Sequence, residues 1–217
     1  MTTRRIPDST VRRLSLYLRL LRELDAAGDG AVVSSRELAE RSGTTSAQVR
    51  KDLSLFGSFG KRGSGYRAAA LAAALEGILG LKRRWRVGLV GVGKIGSALL
   101  GYGDLEARGF DLVAAFDSNP RKVGREVFGT MVFPVADLPR VVVREAVSMG
   151  IIATPPEAAQ ETAERLVDAG VSGILNFAPT KLDVPSRVTV RTMDVALELE
   201  GLSFDLTAAG RAAGRDS

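Results

Sequence analysis

The stretch VGLVGVGKIG, residues 87 to 96, restricts this chain to a small set of folds. Val87, Leu89 and Val90 make a short apolar strand, glycines follow at 91, 93 and 96 in G-x-G-x-x-G spacing, and Ala98 and Leu99 continue as a helix. Gly91 permits the tight turn at the strand end, and Gly93 admits a pyrophosphate to the backbone. Gly96 lets the helix pack on the strand while its first amides face the phosphates. Val92, Lys94 and Ile95 complete this candidate cofactor-binding loop. A second strand, FDLVAAFD, ends in Asp117, 21 residues after Gly96, where a carboxylate accepts the 2′- and 3′-hydroxyls of an adenosine ribose. A negative charge there repels a 2′-phosphate and favours NAD over NADP, a preference that the nearby Arg121 and Lys122 soften.

Further on, VSMGIIATPP and VSGILNFAP read as apolar strands flanking a helical stretch over 156 to 169. The alternation is that of an α/β, Rossmann-like parallel sheet covered by helices, in which ligands bind at the carboxyl ends of the strands. Topology alone therefore sets Thr154, Pro155, Asn176 and Phe177 beside the cofactor, with ordinary turn and core roles as the plainer alternative.

Ahead of this unit stand 86 residues of a different character. They hold 17 Lys and Arg against 8 Asp and Glu, whereas residues 87 to 217 hold 13 against 17. A small basic module has the electrostatic footprint of phosphate-backbone binding, although solvated basic surfaces are common. Residues 8 to 27 carry Val11, Leu14, Leu18 and Leu21 at helical spacing. Ser34 with Glu37, then Thr45 with Gln48, form two capping boxes separated by Gly43, the layout of a helix-turn-helix. In the second helix Val49, Leu53 and Phe56 face the core, leaving Ser46, Gln48, Arg50, Lys51 and Ser54 outward as candidate DNA-reading side chains. The stretch GSFGKRGSGYR then suits a hairpin wing whose tip, with Lys61 and Arg62, meets the DNA backbone or minor groove. An alanine-rich helix over 68 to 79 and the basic segment LKRRW lead into the glycine loop.

The absence of cysteine and histidine in 217 residues removes disulfides, thiolate metal sites and the commonest general base, and no metal is expected. No apolar run reaches the roughly 18 to 20 residues of a membrane span. The first ten residues lack the apolar core of a secretory signal, so the expected location is the cytoplasm. Near the C-terminus Asp194 stands where it caps a helix with Val195, Leu199, Leu202 and Leu206 on one stripe, and TAAGRAAGRDS reads as a frayed tail. The expected domains are 1–80, a winged helix; 81–192, the dinucleotide unit; 193–207, a dimerisation helix; and 208–217, a tail.

In combination, YLR, VSSRELAE, QVRKDLSLFGSFGKRGSGY, GILGL, the glycine loop with ALLGYG, AAFD and GILNFAP resemble the Rex family of redox-sensing transcriptional repressors, from about Ile6 to Leu206. The resemblance implies a repressor that senses the NADH to NAD+ ratio and carries no enzymatic activity. It also implies a homodimer that exchanges its C-terminal helix and binds a palindromic operator in double-stranded DNA. Arg19, Tyr102 and Asp194 are implied as a switch whose pairing differs between DNA-bound and NADH-bound arrangements. Each has a plainer use: Arg19 pairing with Glu23, Tyr102 in packing, Asp194 as a cap. Some relatives carry a phenylalanine directly after this aspartate, where this chain has Val195. Two other readings stay open, an NAD-dependent oxidoreductase with an N-terminal extension and a coenzyme A-binding regulatory module.

Overall fold

The structure, a computed structural model, describes residues 6–28, 30–60 and 65–213. It divides into two compact units, residues 1–83 and 84–217.

The first unit contains helix α1 (Asp8–Ala27), strand β1 (Val32–Val33), helices α2 (Ser35–Ser42) and α3 (Ser46–Ser54), strand β2 (Tyr66–Arg67) and helix α4 (Ala68–Ile78). The capping residues act as their spacing predicts. Ser34 Oγ accepts from the Glu37 amide at 3.0 Å and Thr45 Oγ1 from the Gln48 amide at 3.1 Å, each satisfying a donor that the first helical turn leaves free. Gly43 ends α2 in the left-handed region, with φ +66°. Leu14, Tyr17, Leu18 and Leu21 of α1 close over Leu38, Val49, Leu53, Leu71 and Leu75 as one core. Strand β2, at the end of the expected wing, pairs antiparallel with β1, Val33 opposite Tyr66. Gly60 and Gly65 approach so closely that a Cβ on Gly60 would fall 2.6 Å from the Gly65 carbonyl oxygen. Lys61 and Arg62 lie outside the described residues.

The second unit runs β3 (Trp85–Val90), α5 (Lys94–Leu100), α6 (Asp104–Ala107), β4 (Phe110–Asp117), β5 (Glu126–Val127), β6 (Thr130–Pro134), a 3₁₀ turn, α7 (Leu138–Arg144), β7 (Met149–Ile152), α8 (Pro156–Asp168), β8 (Gly173–Asn176), β9 (Thr189–Thr192) and α9 (Val195–Ala213). The sheet order is β5-β6-β4-β3-β7-β8-β9. All neighbours are parallel except β5 and β6. Numbered by sequence, the parallel strands stand 3-2-1-4-5-6, the doubly wound order of dinucleotide-binding folds. One sheet face carries α7 and α8, whose Leu138, Val141, Val142, Ala163 and Leu166 bury Phe116, Ile152 and Ile174.

Strand β9 and the β5–β6 hairpin lie outside the elements that the sequence pattern predicts. The hairpin turns on Phe128 and Gly129, φ +48° and +79°. A phenylalanine at a position that favours asparagine or glycine gives no turn signal. The tail is also different, since α9 stays helical to Ala213.

Phe116 is fully buried and stacks at a tilt on Phe133, ring centroids 6.1 Å apart. Phe116→Ala is expected to lower stability by about 3 to 5 kcal/mol, read as a fall in the urea midpoint of the second unit without a change in slope.

Candidate functional site

A cavity of 490 Å³ opens where β3 and β7 part, lined by Gly91, Gly93, Asp117, Lys122, Thr154 and Pro155, with Thr162 and Arg165 of α8 at one side. This is the point at which the strand order reverses, where such sheets bind their ligands. Gly91 has φ +96°, and a Cβ there would meet the Ala153 carbonyl oxygen at 2.5 Å. A Cβ on Gly96 would collide with the Gly91 carbonyl. At Gly93 nothing lies within 4 Å of the added carbon, so the loop backbone stands open to a ligand. Lys94 and Ile95 are exposed beside it and Val92 is buried.

Asp117 is tied more tightly than sequence spacing suggests. Oδ2 accepts from the Val92 amide at 2.9 Å and from Lys122 Nζ at 3.0 Å, and Oδ1 accepts from the Asn119 amide at 2.8 Å. With about two lone-pair sites per oxygen, the free acceptor position is on Oδ1, enough for one ribose hydroxyl rather than two. Burial alone would push the carboxyl up, but the Asn119 amide, Lys122 and the Val92 amide together hold it below its ordinary value of 3.8. Lys122 also donates to the Val92 carbonyl at 2.8 Å, so of Arg121 and Lys122 it is Lys122 that locks strand end to glycine loop.

The remaining cleft residues divide. The Thr154 hydroxyl oxygen is buried against the cavity without a hydrogen-bond partner, and Pro155 leads into α8. Asn176 does not reach the cleft. It is fully buried, its amide donates to the Ala178 and Thr180 carbonyls, and its carbonyl accepts from the Ala178 amide, so it pins the turn after β8. Phe177 packs among Leu89, Val92 and Leu100 on the α5 face.

On α3, Arg50, Lys51 and Ser54 are exposed and Ser46 is half-buried. Arg50 donates to Ser35 Oγ at the start of α2, 3.1 Å, and Ser54 donates to the Lys51 carbonyl. Gln48 is not a free outward side chain. Its Nε2 donates at 2.8 Å to Asp52 Oδ1, and Asp52 is buried against α1. Arg13 grips this carboxylate at both oxygens, Nε to Oδ2 at 2.6 Å and Nη2 to Oδ1 at 2.8 Å, and the Tyr17 hydroxyl donates to Oδ2 at 3.1 Å. Burial pushes the Asp52 carboxyl up, yet the hydrogen bonds from Arg13, Gln48 and Tyr17 outweigh it and the group stays below 3.8. Burial, reinforced by Asp52, raises the Tyr17 phenol to about 12, so it remains a donor. Sequence periodicity gives no hint of this cluster, since Asp52 is one of three charged residues between Val49 and Leu53.

Arg19 and Asp194 hold their plainer contacts in the single chain, whereas Tyr102 does not pack. Arg19 pairs with Glu23 at 3.3 Å, Tyr102 is exposed with its hydroxyl 3.5 Å from Asp104, and Asp194 caps α9 by accepting from the Ala196 amide at 2.9 Å. Leu197 and Phe204 of α9 are exposed as well as Val195, Leu199, Leu202 and Leu206. Opposite α7 and α8, the sheet carries an apolar groove of 650 Å³ lined by Trp85, Val87, Phe110, Leu112, Met149 and Leu175. Among the described residues no helix is long and apolar enough to cross a membrane.

A helix-turn-helix unit followed by a doubly wound, glycine-looped nucleotide sheet defines a ligand-responsive DNA-binding regulator, and comparison with known proteins agrees. A "Putative DNA-binding protein N-terminus" family model matches residues 5–54 and a "CoA binding domain" model residues 82–180. Redox-sensing transcriptional repressors Rex from Desulforamulus reducens and Streptomyces griseus are 44% and 46% identical, spanning 95% and 99% of this chain and 98% and 83% of their own. Crystal structures of RSP, a Rex-family repressor, superpose with TM-scores of 0.88 in complex with NAD+ and operator DNA and 0.85 in complex with NADH, at 35% and 34% identity. They cover 97% and 96% of this chain and 96% and 98% of theirs. The chain belongs to the Rex family of redox-sensing transcriptional repressors, a family of regulators rather than enzymes.

A carboxyl whose native value is depressed stabilises the fold fully above its unfolded value, and that contribution is lost as pH falls through the native value. Asp117→Asn is therefore expected to lower the melting temperature at pH 7, with the gap to the parent closing below about pH 4. A gap that stayed constant down to pH 3 would contradict the assignment.

Proposed function

We propose that this chain is a cytoplasmic, homodimeric repressor that holds a palindromic operator when NADH is low and lets go when NADH fills the cleft at Gly91, Gly93, Asp117 and Thr154. The observation that carries the reading is the presence, in one chain, of a reader helix on a basic unit and of a nucleotide cleft at a 3-2-1-4-5-6 switch point. The residues fit a dinucleotide. The open backbone at Gly93 takes a pyrophosphate, Oδ1 of Asp117 takes a ribose hydroxyl, and the unpartnered Thr154 hydroxyl awaits a polar group. Lys122 neutralises Asp117, so rejection of a 2′-phosphate is modest.

NAD+ carries a charged nicotinamide ring and NADH a neutral one, so apolar surroundings at the nicotinamide favour the reduced form through desolvation, a role that Phe177, packed among Leu89, Val92 and Leu100 and absent from the cleft lining, does not fill in the single chain. NADH releases DNA only by binding the non-binding dimer geometry more tightly, and DNA then weakens NADH binding by the same factor. A coupling of about 1 to 3 kcal/mol changes operator affinity roughly 5- to 150-fold. Arg50 and Lys51 contact DNA, with Ser46 and Ser54 beside them and Lys61 and Arg62 at the wing. Arg19, Tyr102 and Asp194 exchange partners as the subunits turn. The exposed face of α9 supports the dimer, since a helix with Leu199, Leu202, Phe204 and Leu206 in solvent gains most by burial against a second copy.

Gel-shift titration of a palindromic duplex at fixed salt, with and without NADH, tests the reading: equal affinity under saturating NADH would refute it. Arg50→Ala or Lys51→Ala is expected to weaken operator binding about tenfold with NADH affinity within about twofold. Gly93→Val is expected to do the reverse, abolishing NADH-triggered release while basal DNA binding persists. Calorimetry with NADH, NAD+, NADPH and coenzyme A should rank NADH first.

A further inference from the structure

We propose that Asp52 is the positioning residue of the reader helix: from beneath α3 its carboxylate fixes the direction in which Gln48 presents its amide, and so sets the base preference at one position of each operator half-site. The inference rests on α3 reading DNA as proposed above.

Gln48 and Asp52 are one helical turn apart on α3, and Asp52 is 1% exposed. A carboxylate only accepts hydrogen bonds, so the amide nitrogen of Gln48 must face it and the amide oxygen must turn away. An untethered glutamine at a half-buried surface position samples several rotamers and both amide orientations, whereas this one is held at 2.8 Å on a charged acceptor. The acceptor itself does not move, because the planar fork of Arg13 on α1 engages both its oxygens and the buried Tyr17 hydroxyl engages one of them. Thr10 adds a 3.5 Å contact to Oδ1 and accepts from Arg13 Nη2 at 3.2 Å. A continuous chain of hydrogen bonds thus runs from α1 through Asp52 to the tip of Gln48. With its nitrogen committed to Asp52, the amide has its oxygen left to offer, which suits a base edge bearing an amino donor, adenine N6 or cytosine N4, and is a poor match for the acceptors guanine O6 and thymine O4.

The test uses the full chain, with the operator selected from a randomised duplex library and affinities for every single-base variant of a half-site measured by fluorescence anisotropy at fixed salt. At one position the parent is expected to prefer adenine or cytosine about tenfold, and Gln48→Ala is expected to erase that preference to within about twofold. Asp52→Ala should erase it at the same position while preferences elsewhere and NADH binding persist, and adding Gln48→Ala to it should change nothing more. If Asp52→Ala does not fold, the triple exchange Arg13→Met, Tyr17→Phe and Asp52→Leu, which replaces the whole buried polar group with apolar packing of a kind often tolerated, takes its place with the same expected outcome. The proposal is overturned by a preference for guanine or thymine at the Gln48 position, by a Gln48→Ala profile identical to the parent's, or by Asp52 variants that weaken every duplex alike with the profile intact. A parent chain that selects no duplex at all would instead overturn the DNA-reading assignment on which this rests.

Discussion

Backbone meets backbone at Gly91 and Gly96 more closely than any side chain allows, and the second unit is arranged around that approach. Because Gly91 turns under the Ala153 carbonyl, β3 and β7 separate at their carboxyl ends and leave the cleft between them. Because Gly96 sits against the Gly91 carbonyl, α5 begins directly after the loop, with Gly93 at its N-terminus on the cleft wall. The Val92 amide then points at Asp117, so the loop is fastened to the neighbouring strand. A nucleotide entering the cleft meets a surface whose shape is already fixed, which keeps the ordering cost of binding small.

Two buried carboxylates do comparable work in the two units. Asp117 ties the glycine loop to the end of β4 through one lysine and two backbone amides. Asp52 ties α3 to α1 through Arg13 and Tyr17. Each is held below its ordinary value in spite of burial because the hydrogen bonds and the cation that face it outweigh the desolvation. Asp117 is itself proposed to touch the ligand, whereas Asp52 sits one hydrogen bond away, behind Gln48. Burying a charge is costly, and such groups are tolerated where they fix one geometry among several.

The sheet and α9 both leave apolar surface uncovered in the single chain. A doubly wound sheet is stable with both faces covered. Here α7 and α8 cover one face in full, while the short α5 and α6 leave an apolar groove at Trp85, Phe110 and Met149 on the other. The connections from β4 to β6 and from β8 to β9 contain no helix to fill it. At the same time α9 exposes more apolar surface than a solvated helix needs. Both features are apolar surfaces without cover in the single chain, and the proposed homodimer offers a way to bury them.

Much of this was legible in the residues. The glycine spacing, the two capping boxes, the strand ending in Asp117 and the stripe of α9 are local patterns, each complete within a few residues, and they determined the helix-turn-helix, the nucleotide loop and the order of the two units. The tertiary structure alone decided that Asn176 pins a turn instead of lining the cleft, that Asp117 has one free acceptor position, that β2 pairs with β1, and that Gln48 answers to Asp52. The physical reason is range. Capping and amphipathic periodicity act between residues three or four apart and leave their trace in the sequence, whereas the grip of Arg13 on Asp52 spans 39 residues and comes into being only when two helices pack.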